Sequence, residues 1–219
     1  MVTIRDIMKD EEVHALLEAS SIQMTALGYT EHSFRHCRLV SNKAGEILQQ
    51  LGESEDEVEL ARIAGYLHDI GNAVNRAEHE QTGAVLAYGI LVRKGMPYRD
   101  AARIMMAIAN HDEKVGTPVS HFAAALILAD KSDVHRSRVT NRDPASFDIH
   151  DRVNYAATRS SLRVDRDRRE AVLDIEIETD HSPMMDYFEI FLHRMKLCRT
   201  AAEFLELTFR LVINGTHFL

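Results

Sequence analysis

The sequence contains few of the residues that interrupt regular structure or cross-link a chain. Its 219 residues include ten glycines, four prolines, two cysteines and no tryptophan. So little glycine and proline excludes a collagen-like or linker-dominated chain and disfavours a turn-rich all-β fold. Two cysteines, Cys37 and Cys198, cannot form a disulfide scaffold, so a reducing cytoplasm is the expected location.

The sequence also lacks a long apolar run and an excess of positive charge. The longest apolar run, residues 122–129, is too short to cross a bilayer. The first residues, MVTIRDIMKDEEV, carry acids where a signal peptide has a basic and then an apolar stretch, so we expect no membrane partner. With 26 basic against 34 acidic residues, the net charge is −8. Such a chain repels nucleic-acid phosphates, and we expect no nucleic-acid polymer as a partner.

Apolar residues recur at steps of three and four through most of the first 134 residues, which is typical of helices packed on a core. Short connections between these segments predict one compact bundle without internal repeats. The predicted helices run from about 30 to 52, from about 78 to 94, from about 98 to 111, and from about 118 onwards. Between the first two, residues 58–67 form one face of a helix that is predicted to stop at Gly71-Asn72.

The pattern changes after residue 143. Residues 161–165 and 173–178 alternate polar and apolar side chains around a polar turn, which predicts a β-hairpin. A long helix is then predicted from Pro183 to Asn214, apolar on two sides. The bundle and hairpin could cover both sides, or a second subunit could cover one, making a homodimer through this helix. We predict an all-α fold, with a helical bundle in residues 1–140 and the hairpin and long C-terminal helix in residues 141–219.

Twelve histidines are present, and histidine is the commonest metal ligand. His68 and Asp69 are followed at once by Ile70 and Gly71, so the pair lies where a helix ends and its dipole favours a cation. Asp130 lies inside the apolar segment ALILAD, where an unpaired carboxylate is costly, so a positive partner is expected. Metal-competent side chains at the ends or core-facing positions of five predicted helices are His36, His68, Asp69, His79, His111 and Asp130.

The order His36, His68-Asp69, Asp130 resembles the H…HD…D signature of the HD-domain superfamily of metal-dependent phosphohydrolases. The segment YLHDIGN resembles its HDIG form, and RHCRLVSNKAGEIL resembles the helix that carries the first histidine. The resemblance covers about residues 30–138 and implies an HD-domain helical bundle.

The resemblance implies a set of metal ligands. In the family pattern His36, His68, Asp69 and Asp130 hold one metal ion. Asp69 bridges to a second ion held by His79 and His111, as in members with two metals. Imidazoles mixed with carboxylates suit Fe, Mn, Co, Ni or Zn, so one or two divalent transition metal ions are the expected cofactors.

The family also implies an activity, a metal-dependent phosphoric ester hydrolase acting on a small phosphate ester or a nucleotide. Asn72 stands three residues after Asp69, where several members have an acid or a lysine, and it can act neither as a base nor as a cation. The Glu-Asp pair of alarmone hydrolases and the GYP motif of cyclic-dinucleotide hydrolases are missing. A metal-bound hydroxide is therefore the expected nucleophile.

Residues that follow Asp130 are candidates for contact with the substrate. Arg136 and Arg138 could bind the substrate phosphate, because guanidinium groups fit it well, or could belong to a solvated helix end. Lys131 has the same two alternatives. Asp133 could accept a proton from a ligand histidine, act as a general acid, or be a surface carboxylate. The catalytic candidates are Asp69, Lys131 and Asp133, and the phosphate-binding candidates are Arg136 and Arg138.

Two further residues lie beside predicted ligands. His32 could share the face of His36, although a supporting or an exposed position is favoured. Asp112 could orient an imidazole. The remaining histidines are expected to be structural: His14, His121, His135, His150, His181, His193 and His217.

Two alternative functions stay open. A minority of HD proteins use the same ligands around two irons and cleave C–C or C–P bonds with O₂. A dimeric regulatory protein with a structural or nucleotide-sensing metal site is the other alternative, favoured by Asn72.

Overall fold

A computed structural model describes residues 2–32 and 34–219. Helices dominate these ranges and a small sheet lies toward the C-terminus, so the predicted helical bundle with a small β element is confirmed. The α-helices are α1 (Ile4–Met8), α2 (Glu11–Ala26), α3 (Phe34–Leu51), α4 (Glu55–Leu67), α5 (His79–Arg93), α6 (Tyr98–Ala109), α7 (His121–Lys131), α8 (Ile149–Ala156) and α9 (Met184–Phe204). The strands are β1 (Ala157–Asp165), β2 (Glu170–Ile177), β3 (Thr208–Ile213) and β4 (Thr216–His217). Short 3₁₀ helices occupy Ile70–Ala73, Arg136–Arg138 and Pro144–Ser146.

Side-chain caps fix where several helices begin. The hydroxyl of Ser54 accepts a hydrogen bond from the amide of Glu57, and that of Ser120 accepts one from Ala123. Each cap satisfies an amide that has no partner inside the helix. The cap at Ser120 therefore moves the predicted start of α7 from residue 118 to residue 121.

Helix α7 is the centre of the bundle. Every residue from Phe122 to Lys131 is buried, and α7 packs against α3, α4, α6 and α9. The apolar run seen in the sequence is therefore a core helix, as predicted. Because the helix is surrounded, its last turn carries Asp130 and Lys131 into the interior of the protein.

The predicted hairpin is confirmed and belongs to a larger sheet. Strands β1 and β2 pair antiparallel, and exposed Arg159 on β1 forms ion pairs with Glu176 at 2.9 Å and Asp174 at 3.2 Å on β2. The sheet has the order β1-β2-β3-β4, in which β2 and β3 are parallel and β3 and β4 antiparallel. Helix α9 connects the two parallel strands.

The prediction of one helix from Pro183 to Asn214 is wrong in its last third. Helix α9 ends at Phe204, and Glu206 adopts a left-handed φ of 58°. The amide of Glu206 donates to the carbonyl of Glu203, and the amide of Leu207 donates to that of Ala202. This closure ends the helix although no glycine is present. The following segment TFRLVI is rich in β-branched and aromatic residues and pairs with β2.

The C-terminal segment packs on the bundle within the same chain. Helix α9 contacts α7 and α8, and β3 lies against it. Tyr187, Phe191 and Met195 are buried in this contact, whereas Met185 and Leu192 are exposed. The division at residue 140 and the homodimer stay predictions. Among the described helices, none combines the length and apolar character needed to cross a membrane.

Gly71 allows two segments of the bundle to approach closely. It lies in the 3₁₀ helix Ile70–Ala73, directly against the first turns of α5. A methyl group on Gly71 would overlap the carbonyl oxygen of His79 and lie 2.5 Å from the amide nitrogen of Gly83. Both neighbours are backbone atoms, which cannot turn aside as a side chain can.

We expect Gly71→Ala to lower the free energy of unfolding by about 2–3 kcal/mol, because the methyl group must displace the start of α5. Thermal or urea denaturation measures this change. Gly89→Ala is the matched control: in the middle of α5 an added methyl meets only the flexible end of Arg93 at 3.2 Å. The control should stabilise by up to about 1 kcal/mol. Equal stability of the two variants would contradict the close approach.

Candidate metal centre

Asp69 lies between two pairs of histidines. Its Oδ2 is 3.3 Å from Nε2 of His68 and 3.7 Å from Nε2 of His36. Its Oδ1 is 3.4 Å from Nε2 of His79 and 3.9 Å from Nε2 of His111. Each carboxylate oxygen thus faces two imidazole nitrogens, the arrangement of a carboxylate that bridges two cations.

Asp130 completes the half of the site around His36 and His68. Its Oδ1 is 3.3 Å from Nε2 of His36 and 3.7 Å from Nε2 of His68. Two groups of three residues each place one ligand atom per residue within 4.8 Å of one another. These groups are His36, His68 and Asp130, and His68, Asp69 and His111. The structure therefore brings together all six residues that the sequence predicted as metal ligands, and we call them the His-Asp cluster.

Most of the cluster lies at helix ends. His36 is in the first turn of α3, and Asp130 is in the last turn of α7. His68 is the C-terminal cap of α4, with Asp69 directly after it, and His79 begins α5. Backbone carbonyl groups near helix ends lack a partner within the helix, so they are available to accept hydrogen bonds from these imidazoles.

Backbone carbonyls fix the tautomer of three histidines. The Nδ1 atoms of His68, His79 and His111 lie 2.9, 3.2 and 2.6 Å from carbonyl oxygens three residues earlier. A carbonyl can only accept, so each Nδ1 donates its proton there. When the ring is neutral, each Nε2 therefore points a lone pair at the cluster, the form in which imidazole binds a metal.

The fourth histidine has a carboxylate behind it. Nδ1 of His36 lies 2.7 Å from Oδ2 of Asp133, which is only 4% exposed. The guanidinium of Arg35 approaches the same oxygen at 3.2 Å. Asp133 is thus a buried residue and not the surface carboxylate considered above. It lies behind His36, where it can accept the imidazole proton.

Three buried atoms of the cluster lack a hydrogen-bond partner among the described residues. They are Nε2 of His36, Nε2 of His68 and Oδ2 of Asp69. Buried polar atoms are almost always paired, and two imidazole lone pairs with a carboxylate oxygen all require a positive or donor group. A divalent cation meets this requirement, so the residues present fit a metal ion, and their nitrogen and oxygen donors suit a transition metal.

Charge coupling within the cluster shifts several pKa values. Burial alone would lower the pKa of His68, but the carboxylates of Asp69 and Asp130 outweigh it and raise that pKa to about 10. Burial acts to raise the pKa of Asp69, but His68 and its neighbours hold it well below the usual range. Burial lowers the pKa of His111 well below its ordinary value, and His68 and Lys131 act in the same direction. The carboxylates are therefore ionised and His111 is neutral.

Asn72 supports the bridging carboxylate. Its Nδ2 lies 3.0 Å from Oδ1 of Asp69 and 3.1 Å from the Asp69 carbonyl, and the residue is fully buried. Its Oδ1 accepts from Arg76 at 3.3 Å. Asn72 can neither supply charge nor take a proton, but in this position it fixes the orientation of Asp69.

A narrow cavity of about 10 Å³ opens on the cluster. Its lining is polar: His32, four residues of the cluster (Asp69, His79, His111, Asp130), and four cationic side chains, Arg76, Lys131, Arg138 and Arg194. Lys131 is buried, with its Nζ 2.7 Å from both Oδ2 of Asp130 and Oε2 of Glu113. The lining places more basic than acidic side chains around the cavity, which favours an anion despite the net negative charge of the chain.

The two predicted phosphate-binding arginines have different surroundings. Arg138 lines the cavity, but it is 2% exposed and its guanidinium donates to the carbonyls of Glu31 and Asp133. Arg136 is not among the lining residues and pairs with Glu178 at 2.7 Å on the surface. The structure therefore does not bring Arg136 to the cluster, because its short 3₁₀ helix directs it toward the end of β2.

The residues predicted to lie beside the ligands are also placed. His32 is buried and lines the cavity, so the exposed alternative is wrong; its Nδ1 lies 2.5 Å from the Thr30 carbonyl. Asp112 is 5% exposed, and its Oδ1 accepts from the amide of Lys114. The imidazole of His111 is oriented by a backbone carbonyl and not by Asp112.

Three charged residues of the site were not predicted from the sequence. Arg76 lies 3.1 Å from Nε2 of His79, and its position three residues before His79 was an available signal. Glu113 bridges Lys131 and Arg194, and it follows His111 closely in the chain. Nothing in the sequence pointed to Arg194, because only tertiary packing brings α9 to the cavity.

Comparisons with known proteins agree with this geometry. A family described as HD domain matches residues 33–135. The uncharacterized protein MJ1020 of Methanocaldococcus jannaschii is 28% identical, in a match covering 66% of this chain and 64% of that protein. Ribonuclease Y of Aster yellows witches'-broom phytoplasma is 33% identical over 48% of this chain, and ribonuclease Y 1 of Pediococcus pentosaceus is 34% identical over 48%.

This chain spans only part of the relatives it matches, 64% of the archaeal protein and 18% of each of these two ribonucleases. Among solved structures, a predicted HD superfamily hydrolase from an uncultured Thermotogales bacterium shares 24% identity and a TM-score of 0.44. That match covers 57% of this chain and 69% of the other.

We expect Asp133→Asn to weaken metal binding by about tenfold or more, because the neutral amide is a poorer acceptor for the His36 proton and lowers the basicity of the ligand. Calorimetric titration with Mn²⁺ or Zn²⁺ measures the dissociation constant. Asp174→Asn in β2, far from the cluster in the sheet, is the matched control and should bind as the parent does. An unchanged affinity in Asp133→Asn would show that Asp133 does not support the site.

Metal binding should release a proton and tighten as the pH rises from 7 toward 10. His68, with a pKa of about 10, is protonated at neutral pH in the metal-free protein and must be neutral to ligate. Calorimetric titration in buffers of different ionisation enthalpy measures the released protons. The exposed His181→Asn variant should release the same number. A binding enthalpy that is identical in every buffer would contradict the coupling.

Proposed function

We propose, on the premise that this chain is a member of the HD-domain superfamily, that it is a metal-dependent phosphohydrolase acting on a small phosphate ester or a nucleotide. The observation that carries the proposal is the position of Asp69, each of whose oxygens faces the Nε2 atoms of two imidazoles. Two divalent ions that share a carboxylate are a recurring arrangement in phosphate ester hydrolysis.

Bound divalent ions would supply activation of water and neutralisation of the charge that develops on the phosphoryl oxygens. The protein holds the ligands for them in advance. The carbonyls of Gly65, Arg76 and Ile108 and the carboxylate of Asp133 orient the four imidazoles, and Asn72 orients Asp69. Ligands that are already oriented need no rearrangement during the reaction, which lowers its barrier.

The chemistry of the cavity supports attack by water. Among the described residues that line it there is no serine, threonine or cysteine that could act as a nucleophile. Cys37, next to His36, is fully buried, and burial raises the pKa of its thiol well above the ordinary value. A covalent enzyme intermediate is therefore not part of the proposal.

The polar and basic lining of the cavity supports a phosphoryl group as the part of the substrate that contacts the cluster. The cavity volume of about 10 Å³, room for about one water molecule, is far below the ~300–1,000 Å³ of sites that enclose a drug-sized ligand. The polar lining offers no apolar surface to a base or an acyl chain. The rest of the substrate would thus remain outside, while Arg76 and Lys131 contribute positive charge beside the phosphate.

The relatives support phosphate ester chemistry but leave the substrate open. The two ribonucleases Y named above match this chain over only 18% of their own length. The net charge of −8 disfavours a long polyanion, so a small ester or a nucleotide is the preferred substrate.

The proposal is tested by assaying the metal-stripped protein after addition of Mn²⁺, Co²⁺, Ni²⁺, Fe²⁺ or Zn²⁺, with phosphate monoesters, nucleotides and a short RNA as substrates. We expect phosphate release with at least one metal and one small substrate, and its loss after chelation. Cleavage of RNA alone would overturn the small-substrate part. Consumption of O₂ without any hydrolysis would replace the hydrolase with an oxygenase.

Asp69→Ala should abolish both tightly bound metal and hydrolysis, because it removes a ligand from both halves of the cluster. Elemental analysis and the phosphate-release assay measure the two effects. Asp167→Ala, at an exposed position of the β1–β2 turn, is the matched control and should retain both. Turnover and metal content that survive Asp69→Ala would refute the proposed function.

A further inference from the structure

The cationic side chains that line the cavity differ in how many of their hydrogen-bond donors are already occupied by other groups of the protein. The guanidinium of Arg138 donates three hydrogen bonds to the backbone carbonyls of Glu31 and Asp133. The ammonium of Lys131 lies between the carboxylates of Asp130 and Glu113. Both groups supply charge, but their hydrogen-bond donors are directed at the protein.

Arg194 is different. Its Nε lies 3.3 Å from Oε1 of Glu113, whereas its two terminal nitrogens donate no hydrogen bond to any of the residues described. The guanidinium also lies over the ring of Phe191, 4.9 Å from its centroid. Glu113 and Phe191 hold the guanidinium in place, and Arg194 lines the cavity with the donors of its terminal nitrogens unused.

The position of Arg194 is coupled to the cluster through a chain of ion pairs. Glu113 contacts Arg194 with Oε1 and Lys131 with Oε2, and Lys131 contacts Oδ2 of Asp130. Oδ1 of the same aspartate faces His36 and His68. An anion that meets the free edge of Arg194 would therefore sit beside the proposed metal ligands.

We infer that Arg194 binds a phosphate group of the substrate, and this inference rests on the proposed function. A guanidinium presents parallel N–H donors that match two phosphate oxygens, and the two terminal nitrogens are the donors available here. Arg194 thus has the phosphate-binding role that was predicted from the sequence for Arg136 and Arg138. Since α9 lies outside the matched HD segment 33–135, the C-terminal segment contributes substrate recognition to the site.

The experiment compares the full-length parent with Arg194→Gln, loaded with the metal that supports turnover, or with Mn²⁺ if none does. The probe is inorganic phosphate, whose dissociation constant is measured by calorimetry, together with KM and kcat for the best substrate. We expect Arg194→Gln to weaken phosphate binding and raise KM by about tenfold to a hundredfold with little change in kcat, because it removes charge-assisted hydrogen bonds. Metal content and melting temperature should stay those of the parent.

Arg199→Gln is the matched control, because Arg199 is an exposed arginine of the same helix whose nearest acid is Glu203 at 3.9 Å. It should bind phosphate as the parent does. Arg194→Lys keeps a positive charge beside Glu113 but removes the paired donors, and we expect intermediate phosphate binding. This variant decides the question if Arg194→Gln loses its metal or fails to fold.

The outcomes separate this inference from the proposed function. If the parent hydrolyses a phosphate ester but Arg194→Gln leaves KM and phosphate affinity unchanged, the inference is overturned and the hydrolase stands. If nothing is hydrolysed but phosphate binding depends on Arg194, the anion site stands and the hydrolase falls. Parent-like phosphate affinity in Arg194→Lys, or no phosphate binding by the parent, would also overturn the inference.

Discussion

The carboxylate of Asp69 is the group around which the bundle is organised. Each of its oxygens faces a pair of imidazoles, and the residue is 2% exposed. A buried carboxylate is tolerated only where positive or donor groups surround it. Four helices and the amide of Asn72 supply those groups, so most elements of residues 34–131 direct at least one side chain toward this single anion.

The local folding rules that end helices also prepare the ligands. His68, His79 and His111 each lie at a helix boundary, where their imidazoles can reach a carbonyl oxygen three residues earlier. The same contact satisfies a backbone group and selects the tautomer with Nε2 free. His36 lies within α3, and there a carboxylate on another segment, Asp133, takes over this function.

Local patterns explain why much of this structure could be predicted from the sequence. The apolar run of α7 predicts a buried helix and, with it, the buried position of Asp130. The end of α9 could not be predicted in the same way, since spacing of three and four residues continues through β3 and no glycine stands at Glu206. The position of Arg194 depends on how α9 packs against α7, and no local pattern encodes such a long-range contact. The hydrogen bonds from Arg138 to backbone carbonyls likewise could not be predicted before the fold is known.

The parallel pairing of β2 with β3 has a consequence for the order of assembly during synthesis. All six residues of the His-Asp cluster precede residue 131, so they leave the ribosome before any part of α9. Strand β3 pairs with β2 only after the whole of α9, which separates them in the sequence, has been made. Pairings between segments so far apart in the sequence form slowly. The nascent chain can therefore bring the His-Asp cluster together first. Helix α9, which carries Arg194, takes its place beside the cavity only when the last strands pair.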